Sequence, residues 1–472
     1  MKNFDNSKGI YDARELGRPR MLLLGFQHLF AMFGATVLVP VLTGLSVSAT
    51  LLFAGLGTLL FHLITKRKVP AFLGSSFAFL GGYAVVVAMG ADRGMSQSLA
   101  LTYACVGVFC AGLLYLILAL LIKWLGSKRV LRFFPPVVTG PIIIAIGLTL
   151  SGSALNNCAS AGGTSWSIAL VAIATVIIFN IWGRGIFKII PILMGVLVSY
   201  IFACCIGAVD FQAVKDAAWI GVPFFWKNTG LSVFANPDWG FLWSAVIAVI
   251  PIALATMVEH IGDICSISST TGINYLEDPG LHRTLTGDGL ATALAAMFGA
   301  PANTTYGENT GVLNMTRVFD PRVIRIAAVI AVILSFCPKF AAVIAAMPGG
   351  TIGGISLILY GMIAAVGVRN LVDNRVDFTE SKNVIVAALI LVLAIGINYG
   401  LGGSIHFGKP DGGVSLSALA IAALVGIILN AILPDNNRDS LIRGMNHYEE
   451  ERLDRAMQGD ITRKPVAPKS NE

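Results

Sequence analysis

The sequence predicts an all-α polytopic membrane protein with 14 transmembrane segments, built as a 7+7 inverted repeat. Three observations predict it: a shortage of charge, apolar runs of span length repeated along the chain, and an alternation of Lys and Arg between successive loops. Only 12% of the 472 residues are charged and 56% are apolar. A soluble domain carries roughly 25% charged residues, so half of the expected surface charge is missing. The 51 glycines fit the same class, because Gly is more frequent in membrane helices than in soluble ones. This composition excludes a water-soluble globule, a secreted disulfide scaffold and a disordered chain. The formal charge of +7 does not indicate nucleic acid as a partner, since the basic residues are spread between apolar runs. The seven cysteines form no CxxC pair and mostly sit in apolar stretches, where Cys acts as a small hydrophobe. Residues 1–20 are polar and lack the apolar core of a cleavable signal, so the first apolar run reads as the first span.

A helix needs about 20 mostly apolar residues to cross the hydrocarbon. On that basis spans are expected over residues 21–44, 48–65, 98–126, 136–152, 165–183, 187–208, 240–260, 323–338, 341–366, 383–400 and 415–433. Three further segments, 71–90, 286–300 and 302–317, are too short or too broken by Gly and Pro for plain helices, and they complete the 14. The loops test that number. Of the 33 Lys and Arg residues, only Arg93, Lys215, Lys227, Lys339 and Lys409 fall in one alternate set of loops; the other set and the tails hold the rest. The positive-inside rule then puts both termini in the cytoplasm and the chain in the cell membrane as a multi-pass protein. The tail after Pro434, with its run Glu449-Glu450-Glu451, reads as solvated.

The chain divides into two halves, 21–208 and 240–433. Seven is odd, so the second half enters the membrane in the opposite sense. Transporters built this way place substrate near the midplane, in broken helices at matching positions. Pro70-Ala71 opens PAFLGSSFAF, and Pro301-Ala302 opens PANTTYGENT, 231 residues later. That offset sets Phe77 against Glu308. The first spans of the halves carry Gln27-His28 and Glu259-His260, at an offset of 232. Residues such as Leu73, Gly74, Ser75 and Ser76, or Thr304, Thr305, Tyr306 and Gly307, favour an extended stretch followed by a short helix. Extended backbone inside a bilayer must pair with itself or line a cavity, so short antiparallel strands in segments 3 and 10 are expected. Each half-helix then starts near the midplane with free N–H groups and a positive dipole end.

Four carboxylates lie within or beside apolar spans: Glu259, Asp263, Asp288 and Glu308. A charge at the bilayer centre costs about 2.5–3.5 kcal/mol even on insertion scales, so such residues line a watery path or titrate. Glu259 and Asp263 are four apart and share a helix face. Glu259 and Glu308 read as functional; Asp263 stands between function and the cytoplasmic end of its helix; Asp288 reads as an early-turn carboxylate favoured by the helix dipole. His28 and His260 are intramembrane and read mainly as packing partners, with His28 the stronger candidate for a direct role. His62, His282, His406 and His447 read as interface or loop residues.

The string NTTYGENTGVLNMTR, with Glu308, Asn309, Gly311, Thr316 and Arg317, resembles the signature of the nucleobase–cation symporters, which include the nucleobase–ascorbate transporters. Gln27-His28 resembles that family's first-span motif. The stretches PAFLGSSFAF, MVEHIG and PGLHRTLTGDG are similar to those of its bacterial uracil permeases, and the likeness covers roughly residues 20–433. The resemblance implies that Glu259 and Glu308 hydrogen-bond a pyrimidine ring and that the backbone N–H groups of Phe77 and Gly307 meet its carbonyl oxygens, with Tyr306 and Ser76 alongside. It implies a core domain (21–126 and 240–338) and a gate domain (127–208 and 339–433), with a loop at 209–239 and tails at 1–20 and 434–472. It implies a homodimer made through the gate. One departure stands out: Asp263 occupies the place of a His in the uracil permease pattern, and a carboxylate donates there only when protonated.

The expected activity is proton-coupled uptake of uracil by alternating access, with Glu259, Asp263, Glu308 and His28 as candidates for carrying the proton and sodium as the alternative ion. Leaving either uracil or its site with an unmade buried hydrogen bond costs about 1–3 kcal/mol. A purine or xanthine permease of the same family is the nearest alternative. An anion transporter of the same plan is more distant, because two acids facing the site repel an anion. An enzyme is not expected: Glu259-His260 lacks the second His of a zinc HExxH motif, and Asp288 lies in GDG rather than GxGD. No cofactor or metal is expected.

Overall fold

The computed structural model describes residues 9–126, 129–130, 132–184, 187, 190–408 and 414–434. Lys2, Lys8, Lys128, Lys409, His447 and the tail beyond Pro434, including Glu449 to Glu451, lie outside the described residues. In chain order the first part contains α1 (Arg18–Thr43), α2 (Val47–Ile64), β1 (Leu73–Ser75), a 3₁₀ turn (Phe77–Phe79) leading into α3 (Leu80–Asp92), α4 (Gln97–Leu125), α5 (Pro136–Ala159), α6 (Gly163–Trp182) and α7 (Pro191–Cys205). The second contains α8 (Trp239–Val249), α9 (Ile252–Thr271), α10 (Leu281–Met297), β2 (Asn303–Thr305), α11 (Gly307–Thr316), α12 (Pro321–Ser335), α13 (Pro338–Ala345), α14 (Gly349–Asp373) and α15 (Ser381–Gly400). It ends with β3 (Ser404–Phe407), β4 (Val414–Ser417) and α16 (Ala418–Ile432).

The molecule is mostly helical. Among the described residues, eight helical stretches are long and apolar enough to cross a membrane, with α8 and α9 together forming one of 33 residues. α12 and α13 are a further pair, bent by 90°, and α7, α16 and Phe77–Asp92 are shorter apolar helices. Local chemistry sets the ends. Ser46 caps α2 by accepting the Ala49 N–H at 3.2 Å, and Asp320 caps α12 by accepting that of Arg322 at 2.9 Å. Gly272, at φ +74, closes α9 in the left-handed conformation.

Several boundaries differ from the sequence reading. The span expected at 240–260 runs on to Thr271, because its polar continuation GDICSISST is helical as well. The break comes earlier, at Pro251, which cannot donate to the preceding turn. The expected span 341–366 is instead α13 and then α14, separated at Met347-Pro348. Residues 404–417 contain an antiparallel hairpin of β3 and β4 that was not expected; His406 lies in β3 rather than in a loop. His62, read as an interface residue, is buried in α2, with Nε2 2.9 Å from the Ala71 carbonyl oxygen.

Helices approach closely through small residues, as association in lipid requires. A Cβ on Gly112 of α4 would stand 2.7 Å from the Gly289 carbonyl oxygen of α10. On Gly367 of α14 it would stand 2.7 Å from the Gly140 carbonyl oxygen of α5.

The two broken segments meet as expected. β1 and β2 pair antiparallel, Leu73 with Thr305, Gly74 with Thr304 and Ser75 with Asn303. The ladder continues on both sides: the Ser76 N–H donates to the Ala302 carbonyl at 2.8 Å, and the Tyr306 N–H to that of Phe72 at 3.0 Å. Strand edges are then closed by side chains. Thr58 Oγ1 accepts the Leu73 N–H at 2.9 Å, Thr292 Oγ1 donates to the Asn303 carbonyl at 2.8 Å, and the Tyr83 hydroxyl accepts the Ala302 N–H at 3.2 Å. Extended backbone far from water is thereby satisfied without solvent. The register is symmetric under the 231-residue offset, since shifting Leu73 and Thr305 gives Thr304 and Gly74, which are themselves a pair.

Close approach also fixes Gly74, where a Cβ would lie 2.5 Å from the Tyr306 ring and 2.6 Å from Thr36 Oγ1. Gly74→Val therefore overpacks the strand junction, and thermal unfolding in detergent is expected to register a loss of about 1–3 kcal/mol. Gly81→Ala, where a Cβ meets nothing within 4 Å, is the control expected to leave stability unchanged.

Candidate functional site

Each strand hands the chain to a helix start. β1 leads to Phe77 and α3; β2 leads through Tyr306 to Gly307 and Glu308 at the first turn of α11. The first N–H groups of a helix have no partner within it, so both starts present donors. Glu308 stands in the first turn of α11. Tyr306 is buried, and its hydroxyl donates to the Ser75 carbonyl at 2.9 Å. Ser76 is fully buried, with its N–H committed to Ala302 and its hydroxyl unpartnered.

α9 brings Glu259 and Asp263 to the same place. Asp263, Asp288 and Glu308 all lie within electrostatic range of Glu259. The Thr305 hydroxyl donates to Asp263 Oδ2 at 2.7 Å, which joins α9 to β2. A Cβ on Gly307 would be 3.9 Å from Asp263 Oδ1. Glu259, Asp263 and Glu308 are each partly accessible. From them an exposed row of small or polar residues runs along each helix: Gly262, Ser266 and Ser269 on α9, and Gly307, Gly311 and Asn314 on α11. Gly, Ser and Asn suit a water-filled cleft rather than lipid.

His28 of α1 is fully buried, its Nδ1 3.1 Å from Asn309 Nδ2, while the same amide donates to the His28 carbonyl at 3.0 Å. The structure thus ties the first-span motif to the residue next to Glu308. His260 and Asp288 form a second buried pair, Nδ1 to Oδ2 3.0 Å, with both side chains at 0% exposure. The early-turn reading of Asp288 fails because α10 begins at Leu281, and Asp288 lies two turns inside it. The polar string HRTLTGDG had placed the helix start too late.

Phe77 also borders a small cleft, lined by Phe77, Ala78 and Gly81 on one wall and by residues such as Thr149, Asn398 and Ser417 on the other. None of the four carboxylates lines it. The Phe77 ring meets the edge of Tyr360 of α14, with centroids 5.7 Å apart at 79°. The sequence reading missed Tyr360. Its only signal is a large aromatic at the end of a small-residue run, GGTIGGISLILYG.

Comparison with known proteins identifies the family. A profile of the permease family matches residues 19–402. The uracil permease of Bacillus caldolyticus is 41% identical over 438 residues, covering 92% of this chain and 95% of that protein. The uracil permease of Escherichia coli K12 is 36% identical over 425 residues, covering 88% and 92%. Among solved structures, the transmembrane domain of the cyanobacterial bicarbonate transporter BicA superposes with a TM-score of 0.57 at 14% identity, over 90% of this chain and 99% of that one. That likeness concerns the fold alone. Length, family profile and identity together place this chain in the permease family, as an integral membrane transporter and not an enzyme.

Proposed function

We propose that this permease carries uracil across the cell membrane by proton-coupled alternating access. The observation that carries the reading is the meeting of two half-helix starts, at Phe77 and Gly307, with the carboxylates Glu259, Asp263 and Glu308 beside them. Uracil is neutral and flat, with two N–H donors and two carbonyl acceptors. Glu259 and Glu308 accept from the ring N–H groups, the Phe77 and Gly307 N–H groups donate to the carbonyls, and Tyr306 and Ser76 hold the strands that aim them. A buried carboxylate can take up a proton with the substrate and release both together. Glu259, Asp263 and Glu308 are the proton carriers, and His28 keeps α11 in place through Asn309. The uracil permeases at 41% and 36% identity support the choice of substrate.

In the same reading the chain crosses the membrane 14 times as a 7+7 inverted repeat, which the symmetric register of β1 and β2 supports. The core comprises residues 21–126 and 240–338, and the gate 127–208 and 339–433; both termini face the cytoplasm, and two copies associate through their gates. The gate rocks against the core about Phe77 and Tyr360, where an aromatic from each side meets. An anionic substrate is disfavoured by the acids of the site.

Uptake of radiolabelled uracil by cells expressing the protein tests this. Glu308→Gln is expected to reduce uptake to the level of cells without the transporter; wild-type uptake in that variant removes Glu308 from the site. Excess unlabelled uracil is expected to compete at least tenfold more strongly than xanthine, a difference of about 1.4 kcal/mol. The reverse order assigns a purine. A proton uncoupler is expected to abolish accumulation in sodium-free medium, whereas sodium-dependent uptake indifferent to the uncoupler contradicts proton coupling.

A further inference from the structure

The segment ahead of α1 crosses the ends of the two helices that carry the acids. The Ile10 N–H donates to the Arg317 carbonyl at 2.7 Å, and the Phe319 N–H donates to the Ile10 carbonyl at 2.8 Å. Arg317 is the residue that closes α11. The Tyr11 hydroxyl donates to the carbonyl of Thr271, the last residue of α9, at 2.6 Å. The Tyr11 ring also packs on Phe319, with centroids 5.4 Å apart. Asp12 pairs with Arg322 at 2.7 Å, and the Ala13 N–H donates to Asp320 Oδ2 at 2.7 Å. Ala13 is fully buried beside Val318 and Val323. One short segment therefore engages the ends of α9 and α11 and the start of α12.

This matters because of what lies between. At their inner ends α9 and α11 are held by the Thr305–Asp263 hydrogen bond and the strand pair. Beyond Asp263, residues 266 and 269 on α9 and 311 and 314 on α11 are exposed. Two helices pinned at one end and lining an open cleft can splay. A carbonyl at a helix C-terminus has no partner within the helix, so an external donor there fixes position as well as satisfying the group.

We propose that residues 9–13 form a positioning strap that sets the spacing of α9 and α11, and thereby the separation of Glu259 and Asp263 from Glu308. Tyr11 is its key residue, because its hydroxyl bonds to the end of α9, and it acts through the helix rather than by touching substrate. The binding readout rests on the nucleobase reading above; the strap itself does not.

The test uses purified full-length protein, uracil-binding calorimetry, thermal unfolding and amide hydrogen exchange. Tyr11→Phe keeps the ring against Phe319 and removes only the donor to Thr271. It is expected to weaken uracil binding three- to tenfold at an unchanged unfolding temperature. Amide exchange is expected to quicken near the acids, at 259–263 and 307–310, two turns from the strap. Faster exchange confined to 268–271 and 313–316, with uracil affinity unchanged, identifies a local cap and overturns the proposal, as does no change at all. Should Tyr11→Phe not accumulate, Asp12→Asn, which removes the negative charge that pairs with Arg322 at the exposed rim, is read by the same criteria. Quickened exchange near the acids in a protein whose wild type fails to bind uracil sinks the substrate reading and leaves the strap standing.

Discussion

The structure depends on one constraint: backbone that leaves the helix inside a bilayer must find partners for every N–H and C=O. Here two three-residue strands supply each other, threonines and a tyrosine from the surrounding helices close their edges, and the Asn303 side chain of β2 donates to the Phe53 carbonyl of α2. Once that debt is met, both chains can restart as helices deep in the fold. The restart is what yields functional geometry. It presents unpaired donors at Phe77 and Gly307 in a place that continuous spans would fill with apolar side chains.

The acids follow from the same arrangement. A carboxylate beside a helix start is stabilised by the dipole and by free N–H groups, so Glu308 sits where its charge is least costly. Asp263 takes the Thr305 hydroxyl, making it at once a wall of the cleft and a fastening between α9 and β2. This gives the aspartate a partner where the uracil permease pattern has an imidazole. His260 and Asp288, buried against each other behind Glu259, show that the polar interior extends past the cleft itself.

Much of this was legible in the sequence because the chain repeats its own grammar. The Pro-Ala openings 231 residues apart marked both strands, and a run such as LGSS or NTTY cannot sit in lipid as helix without losing its propensity contest. Three of the parts that were missed share a cause: polarity was read as exposure. The tail of α9 and the start of α10 are polar yet helical, because one lines the cleft and the other is covered by α2 and α4. His62 looked like a rim residue beside a basic loop, but its ring is spent on the Ala71 carbonyl. β3 and β4 were hidden because β4 merges in hydropathy with α16, so the run from residue 415 looked like one span. Tyr360 had only the weak signal of an aromatic at the end of a small-residue run; folding alone brings α14 against Phe77.

The most direct measurement is a structure of the protein with uracil bound. The account predicts a planar density wedged between the starts of α3 and α11, with both Glu259 and Glu308 within hydrogen-bonding distance of the ring and the β1–β2 ladder intact. Density in the small cleft beside Asn398 and Ser417, or a ring that touches neither acid, would contradict it.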